Sequence, residues 1–156
     1  MIQVRRATGS DIEELIRLRK LMHESMKSPG LDSPGWKRAA TDMLREELAA
    51  RRPTLAAFVI DGGDGGLAAC ATGIIHRRVP SPTNPGGRVG YVFNVSTDPG
   101  YRRRGYSRAC MESLLGWFRK RQVPRIDLRA SADGEPLYAS LGFVRTGDPS
   151  MVLNLA

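Results

Sequence analysis

The chain has 156 residues and a net charge of +8, from 24 Lys and Arg against 16 Asp and Glu. That length suits one domain, residues 1–156, burying roughly 68–70% of its unfolded surface. No run approaches the ~18 apolar residues of a membrane span, and two cysteines, Cys70 and Cys110, without a CxxC spacing, exclude a disulfide scaffold. In chain order, residues 2–6 alternate apolar and polar and read as a short strand. Ser10 with Glu13 makes a capping-box pattern, followed by a helix through Ile12, Leu15, Ile16 and Leu18 to about Ser25. "KSPGLDSPGW" is a loop, and a second amphipathic helix runs from about Trp36 to Ala50, stopped by Pro53. Residues 55–60, the turn "DGGDGG" and residues 67–77 form an antiparallel hairpin. The Pro-rich loop "VPSPTNPGG" leads to a strand at 89–96, a helix at about 105–121 and a strand at 125–130. Strand, helix, strand makes a βαβ unit with parallel strands. A short helix near 136–140, the turn "LGF" and a closing strand near 151–155 complete a mixed α/β fold, an antiparallel hairpin feeding a parallel pair.

The basic excess is 20 Arg against 4 Lys, scattered in pairs apart from the cluster at 102–104. A surface that favours small anions or acidic partners fits this scatter better than a dedicated DNA face. The N-terminus, "MIQVRRATGSDIEEL", lacks a signal peptide's apolar core, so a soluble cytoplasmic protein is expected.

The stretch "DPGYRRRGYSRACMESLLGWFRK" places three arginines and a glycine between a strand and a helix. Cations at a helix N-terminus are unfavourable unless an anion intervenes. The first helical N–H groups lack partners, and Gly105 has no Cβ to keep a ligand away. An anion site at this turn and a solvated basic loop both fit. There is no GxxxxGK[ST] and no GxGxxG.

Residues 102–107, Arg102-Arg103-Arg104-Gly105-Tyr106-Ser107, resemble the R/Q-x-x-G-x-G/A cofactor motif of the GCN5-related N-acetyltransferases. "LRASADGEPLYASLGF" at 128–143 resembles that family's second signature, in the expected order and spacing. The resemblance is specific over 88–143. It implies a central, mostly antiparallel sheet with one parallel βαβ pair at the cofactor site, flanked by about four helices. It also implies acetyl-CoA as cosubstrate and acetyl transfer to a primary amine. Backbone amides of Arg103, Arg104, Gly105, Tyr106, Ser107 and Arg108 would hold the pyrophosphate, with Arg102 adding charge. The pantetheine arm would run along Val95, Ser96 and Thr97. Two positions depart from the pattern. Ser107 stands where Gly or Ala is usual, and Ser131 where Asn is frequent.

The resemblance makes Tyr138 the proton donor to the departing thiolate, a role suited to a phenol of pKa near 10. A packing aromatic is the alternative. The backbone N–H near Val95 is a candidate oxyanion donor. No carboxylate lies on "RVGYVFNVS", so the general base is open. Asn94 offers a carboxamide to position a water or the acceptor, and Tyr91 is a second candidate; both also fit as ordinary strand residues. Glu13, Glu14, Glu46 and Glu47 read as solvated helix faces. Cys110 shares a stripe with Leu114 and Phe118 and reads as core. A Cys70–His76 dyad fails, because six strand residues span about 20 Å. His23 and His76 alone make no zinc site, and no metal is expected. The acceptor is expected opposite the cofactor, between the first helices with their loop (28–36) and the Pro-rich loop (79–87), with Trp36 as a pocket wall or a core tryptophan. A homodimer is open. The rival class is a non-catalytic module holding CoA as a sensor, or nucleic acid through its basic surface.

Overall fold

The computed structural model describes residues 1–155. One five-stranded sheet follows chain order: β1 (Arg5–Arg6), β2 (Leu55–Asp61), β3 (Leu67–Arg77), β4 (Arg88–Thr97) and β5 (Arg125–Leu128). The first three pairings are antiparallel, and β4 and β5 run parallel. The helices are α1 (Ile12–Ser25), α2 (Pro34–Ala49), α3 (Tyr106–Lys120) and α4 (Glu135–Ser140). The mostly antiparallel sheet with one parallel pair and four helices therefore agrees with the expected fold.

Local chemistry explains most boundaries. Pro34 opens α2, where its missing N–H costs nothing, and the helix stops short of Pro53. The hairpin turn is closed by Gly62 N–H to Gly66 O at 2.7 Å, and Asp64 accepts from Gly66 N–H at 3.1 Å. The entry to α1 differs from the expected Ser10–Glu13 box. A 3-10 turn, Gly9–Asp11, precedes it, and Asp11 accepts the Thr8 N–H at 2.8 Å. Thr8–Asp11 has the same three-residue spacing, and Arg5 fixes Asp11 there with two bonds of 2.8 and 2.9 Å.

The sheet is covered on both faces, so β3 is buried along nearly its whole length. On one face α3 packs Cys110, Met111, Leu114 and Phe118 against Ala69, Ala71 and Val92. On the other, α1 sets Leu15 and Leu18 against Val59 and Cys70, with α2 outside. The Phe118 ring lies over Gly73 and Gly90, where an added Cβ would come within 2.6 Å of ring carbons. Side-chain-free positions on adjacent strands thus let α3 sit close to the sheet.

Glu14 is not a solvated-face residue. It accepts from Arg17 at 2.7 and 2.9 Å and from Leu67 N–H at 2.7 Å, tying α1 to the start of β3. Residues 151–155 form no strand. They are exposed, and residues 144–155 make no backbone-to-backbone hydrogen bond among the described residues. The apolar alternation there marks strand propensity, but no strand lies alongside it among the described residues. No helix among the described residues is long and apolar enough to cross a membrane.

Candidate functional site

The site begins with a fault in β4. Asn94 has φ +52°, and Asn94 with Val95 lies between the pairs Thr72–Phe93 and Cys70–Ser96, opposite the single residue Ala71. Two residues facing one make a β-bulge, which bends the strand. Pairing with β5 runs from Val89–Arg125 to Val92–Leu128 and stops there. Beyond it the two parallel strands part, and a groove of about 880 Å³ opens between them. Val95, Ser96 and Thr97 line it with the backbone edge that β5 has released.

At the end of β4, Asp98 accepts from Gly100 N–H at 2.9 Å and from Arg17 at 2.7 Å. Its pKa is held below the usual carboxylate range, first by the Gly100 N–H and then by Arg17. The chain then passes through two left-handed residues, Arg103 (φ +63°) and Gly105 (φ +77°), before entering α3. Such alternation turns successive N–H groups to one side, as in an anion nest. Ala109 N–H is the first to find a backbone acceptor, Gly105 O at 3.1 Å. No backbone N–H of residues 102–108 donates to a protein acceptor among the described residues. No side chain caps α3 either. The helix dipole and the Arg102, Arg103 and Arg108 guanidiniums add positive charge to this cradle. Its chemistry suits a polyphosphate.

The structure places the remaining motif residues unequally. Gly105, Tyr106, Ser107 and Arg108 line the groove with Arg102 and Arg103, whereas Arg104 does not. The Arg104 guanidinium lies 5.3 Å from the Tyr101 ring centroid, and Tyr101 stacks on Tyr106. Ser107 Oγ is 2.6 Å from Thr97 Oγ1, so its hydroxyl joins the helix to the strand. Arg108 donates to Ser140 Oγ and lies 3.7 Å from Glu112.

Across the groove, Ser131 Oγ accepts Gly134 N–H at 3.1 Å, forming the turn into α4. Tyr138 on that helix lines the groove and meets Phe143 edge-on, centroids 6.1 Å apart. Its hydroxyl has no hydrogen-bond partner among the described residues, and burial pushes its pKa upward. It stays protonated at neutral pH. Asn94 is 7% exposed, and its Oδ1 is buried without a donor. An orphaned acceptor in a groove wall is chemically unfinished.

Several other residues lie elsewhere. Trp36 is half-buried beside His23 and donates to Leu31 O at 3.1 Å; it neither lines the groove nor joins a core cluster. Tyr91 and His76 are half-buried strand residues off the groove, and the loops at 28–36 and 79–87 contribute nothing to its lining. Of the expected acceptor side, the first helix alone reaches the groove: α1 supplies Leu21, Met22 and Ser25, and Met26 follows at its end. Their spacing continues the core stripe of that helix, so only its position over β4 distinguishes groove from core. Asp133 is the lining's one carboxylate.

Comparison with known proteins agrees with this geometry. A model of the acetyltransferase (GNAT) family matches residues 15–143. A crystal structure of a predicted acetyltransferase with acetyl-CoA from Clostridium acetobutylicum is 27% identical at a TM-score of 0.85, covering 99% of this chain and 96% of that one. A GCN5-related N-acetyltransferase from Ralstonia eutropha JMP134 is 26% identical at a TM-score of 0.84, covering 98% and 99%. The [ribosomal protein bS18]-alanine N-acetyltransferase of Escherichia coli K12 is 44% identical over 55 residues, 33% of this chain. That match spans only 37% of the relative's length. The chain belongs to the acetyltransferase (GNAT) family.

Proposed function

We propose that the chain transfers an acetyl group from acetyl-CoA directly to a primary amine, without a covalent enzyme intermediate. The observation that carries this reading is the run of unpartnered backbone N–H groups at residues 103–108, at the mouth of the gap between β4 and β5. These groups fit a pyrophosphate, and Arg102, Arg103 and Arg108 fit further phosphate charge. Val95, Ser96 and Thr97 fit an extended pantetheine arm, because the freed edge of β4 offers it backbone donors and acceptors. Ser131 fits as a polar contact on the opposite wall.

Acetyl-CoA supplies the activated acyl carbon as a thioester. The C–N bond forms as the C–S bond breaks, the leaving sulfur takes a proton from an acid in the groove, and the nitrogen sheds one to water, which restores that acid. Tyr138 is a protonated groove hydroxyl with no competing partner, and its place in the second signature, "PLYASLGF", selects it over Tyr106 as the acid. Asn94 lines the groove at the bulge, and its carboxamide, once turned from its buried position, accepts an N–H of the incoming amine through the otherwise orphaned Oδ1. The weak supply of bases favours an acceptor that is already partly neutral. An α-amine, with pKa about 7.7–8.0, meets that condition far better than a lysine near 10.4. The short match to a ribosomal-protein-alanine N-acetyltransferase supports a peptide N-terminus as the amine.

A thermal-shift titration with acetyl-CoA, CoA and a DNA oligomer tests the first half. Both CoA species should stabilise the protein; stabilisation by DNA alone, lost with salt, would replace this reading with a nucleic-acid module. Thiol release with a panel of amines tests the second half. An Ala-initiated peptide should outpace a blocked lysine at pH 7.5, and silence across the panel despite cofactor binding would mean a CoA sensor.

A further inference from the structure

Taking the acetyl transfer proposed above as the reaction, we infer that Met22 and Met26 form a selectivity wall. It favours acceptors whose amine-bearing carbon carries an apolar side chain. α1 runs antiparallel to β4. Glu14 accepts Leu67 N–H, beyond the Ala69–Thr97 pair, and Leu18 O accepts the Ser96 hydroxyl at 3.1 Å. Met22 lies four residues on from Leu18, about 6 Å along the helix, and Asn94 two residues back from Ser96, about 6–7 Å along the strand. Met22 therefore stands level with the bulge at Asn94, and Met26 lies one turn further from the phosphate cradle.

Met22 and Met26 line the groove, yet neither belongs to a core cluster, and Met26 is 53% exposed. Ser25 sits beside them, but its hydroxyl proton is spent on Met22 O at 2.7 Å. Phe93 continues the apolar lining from β4. The nearby charge is a cation, Arg129, which follows the last β5 residue to pair with β4 and bonds Ser150 Oγ at 2.7 Å. Asp133 lies on the far wall, in the turn into α4. After Met26 the chain leaves the groove. Lys27 is left-handed (φ +55°), Ser28 N–H returns to His23 O at 3.0 Å, and the His23 ring lies 3.0 Å from Ser28 Oγ. This reversal ends the helix and leaves Met26 as its last side chain over the groove.

A thioether side chain is unbranched, flexible and polarizable, so a pair of them adapts to apolar groups of different size. An ammonium on the same wall would lose water without gaining a partner, and it would face Arg129. The acceptor that fits is a peptide N-terminus whose first side chain is apolar. Amines flanked by further cations do not fit.

Four peptides, identical except for a first residue of Gly, Ala, Met or Lys, test the wall. Each is measured by calorimetry on the CoA-loaded protein and by thiol release with acetyl-CoA. The dissociation constant and KM should fall from Gly to Ala to Met, by about 10-fold or more in all, with kcat changing far less. The Lys peptide should bind more weakly than the Gly peptide. Met26→Asp changes an exposed side chain at the end of α1, so it spares the core. It should abolish the preference for Met and bind the Lys peptide several-fold tighter, with the dissociation constant for acetyl-CoA unchanged. Should that variant fail to fold, Met22→Ala decides: affinity for the Met peptide should drop towards that of the Ala peptide, while the Gly peptide binds as before. Equal affinity across the four peptides, or a preference that survives both substitutions, overturns the wall even where thiol is released. Binding of none of them overturns it as well. Graded binding without thiol release upholds the wall and counts against the transfer instead.

Discussion

Tyr138 and Gly105 carry different parts of the proposed reaction, and single substitutions separate them. Tyr138→Phe keeps the ring that packs on Phe143 and removes only the hydroxyl. Turnover should fall about 10²-fold or more, within the range for losing a general acid, while the dissociation constant for acetyl-CoA stays unchanged. Equal turnover in the variant would leave Tyr138 as packing alone. Gly105→Ala should do the opposite. An added Cβ meets only Ile2 Cδ1, at 3.9 Å, so there is no clash in the free protein. At φ +77° the alanine nonetheless costs roughly 1–2 kcal/mol of backbone strain. The methyl group also stands where a phosphate must approach the N–H groups. Calorimetry should show weaker acetyl-CoA binding with kcat at saturation largely preserved; a loss confined to kcat would contradict the cradle.

At the scale of elements, α3 is held to the sheet by an aromatic ring over two glycines. Gly73→Ala or Gly90→Ala would push a methyl group to 2.6 Å from the Phe118 ring, which is fully buried and has no free space to enter. Overpacking of this kind costs about 1–3 kcal/mol. At roughly 2–4 °C per kcal/mol for a chain of this length, a melting curve resolves it. Gly116→Ala on α3, where nothing lies within 4 Å, is the control and should not lower Tm. The hairpin, α3 and the arginine turn were legible in the sequence, because each is specified locally by turn residues, a helical stripe or a glycine between a strand and a helix. The bulge at Asn94 was not, since a left-handed asparagine inside an apolar strand leaves no local mark. Nor could periodicity show that Met22 and Met26 face a groove while Leu15 and Leu18 face the core. That distinction depends on where β4 and β5 part, a property of pairing. The cap of α1 was ambiguous for a related reason. Thr8–Asp11 and Ser10–Glu13 share a spacing, and a distant contact with Arg5 decides between them.

For the molecule as a whole, stability should form a plateau bounded on both sides by identifiable groups. Arg5 bonds Asp11 and Asp61, both at 2.8 Å, and Arg17 bonds Glu14 and Asp98, both at 2.7 Å. Arginine hydrogen bonds are the leading cause that holds Asp11, Glu14 and Asp61 below the usual carboxylate range, and they contribute second at Asp98. A folded pKa below the unfolded value stabilises the protein fully above the unfolded pKa, about 4 for these groups. That contribution is lost as pH falls through the lower folded values. Tm should therefore drop steeply below pH 4. The alkaline side has the reverse origin. Burial pushes Cys70 and Cys110 up to about 12. Above about pH 8.5 the unfolded chain releases thiol protons that the folded chain retains, so stability falls again. Melting curves from pH 3 to 10 should show both limbs. Growing net positive charge would also weaken the protein in acid, but Arg17→Gln distinguishes the two causes. It frees Glu14 and Asp98 towards ordinary pKa values, so it should lower the plateau and flatten the acid limb. Repulsion among like charges predicts no such flattening, and an acid slope identical to that of the wild type would assign the transition to net charge.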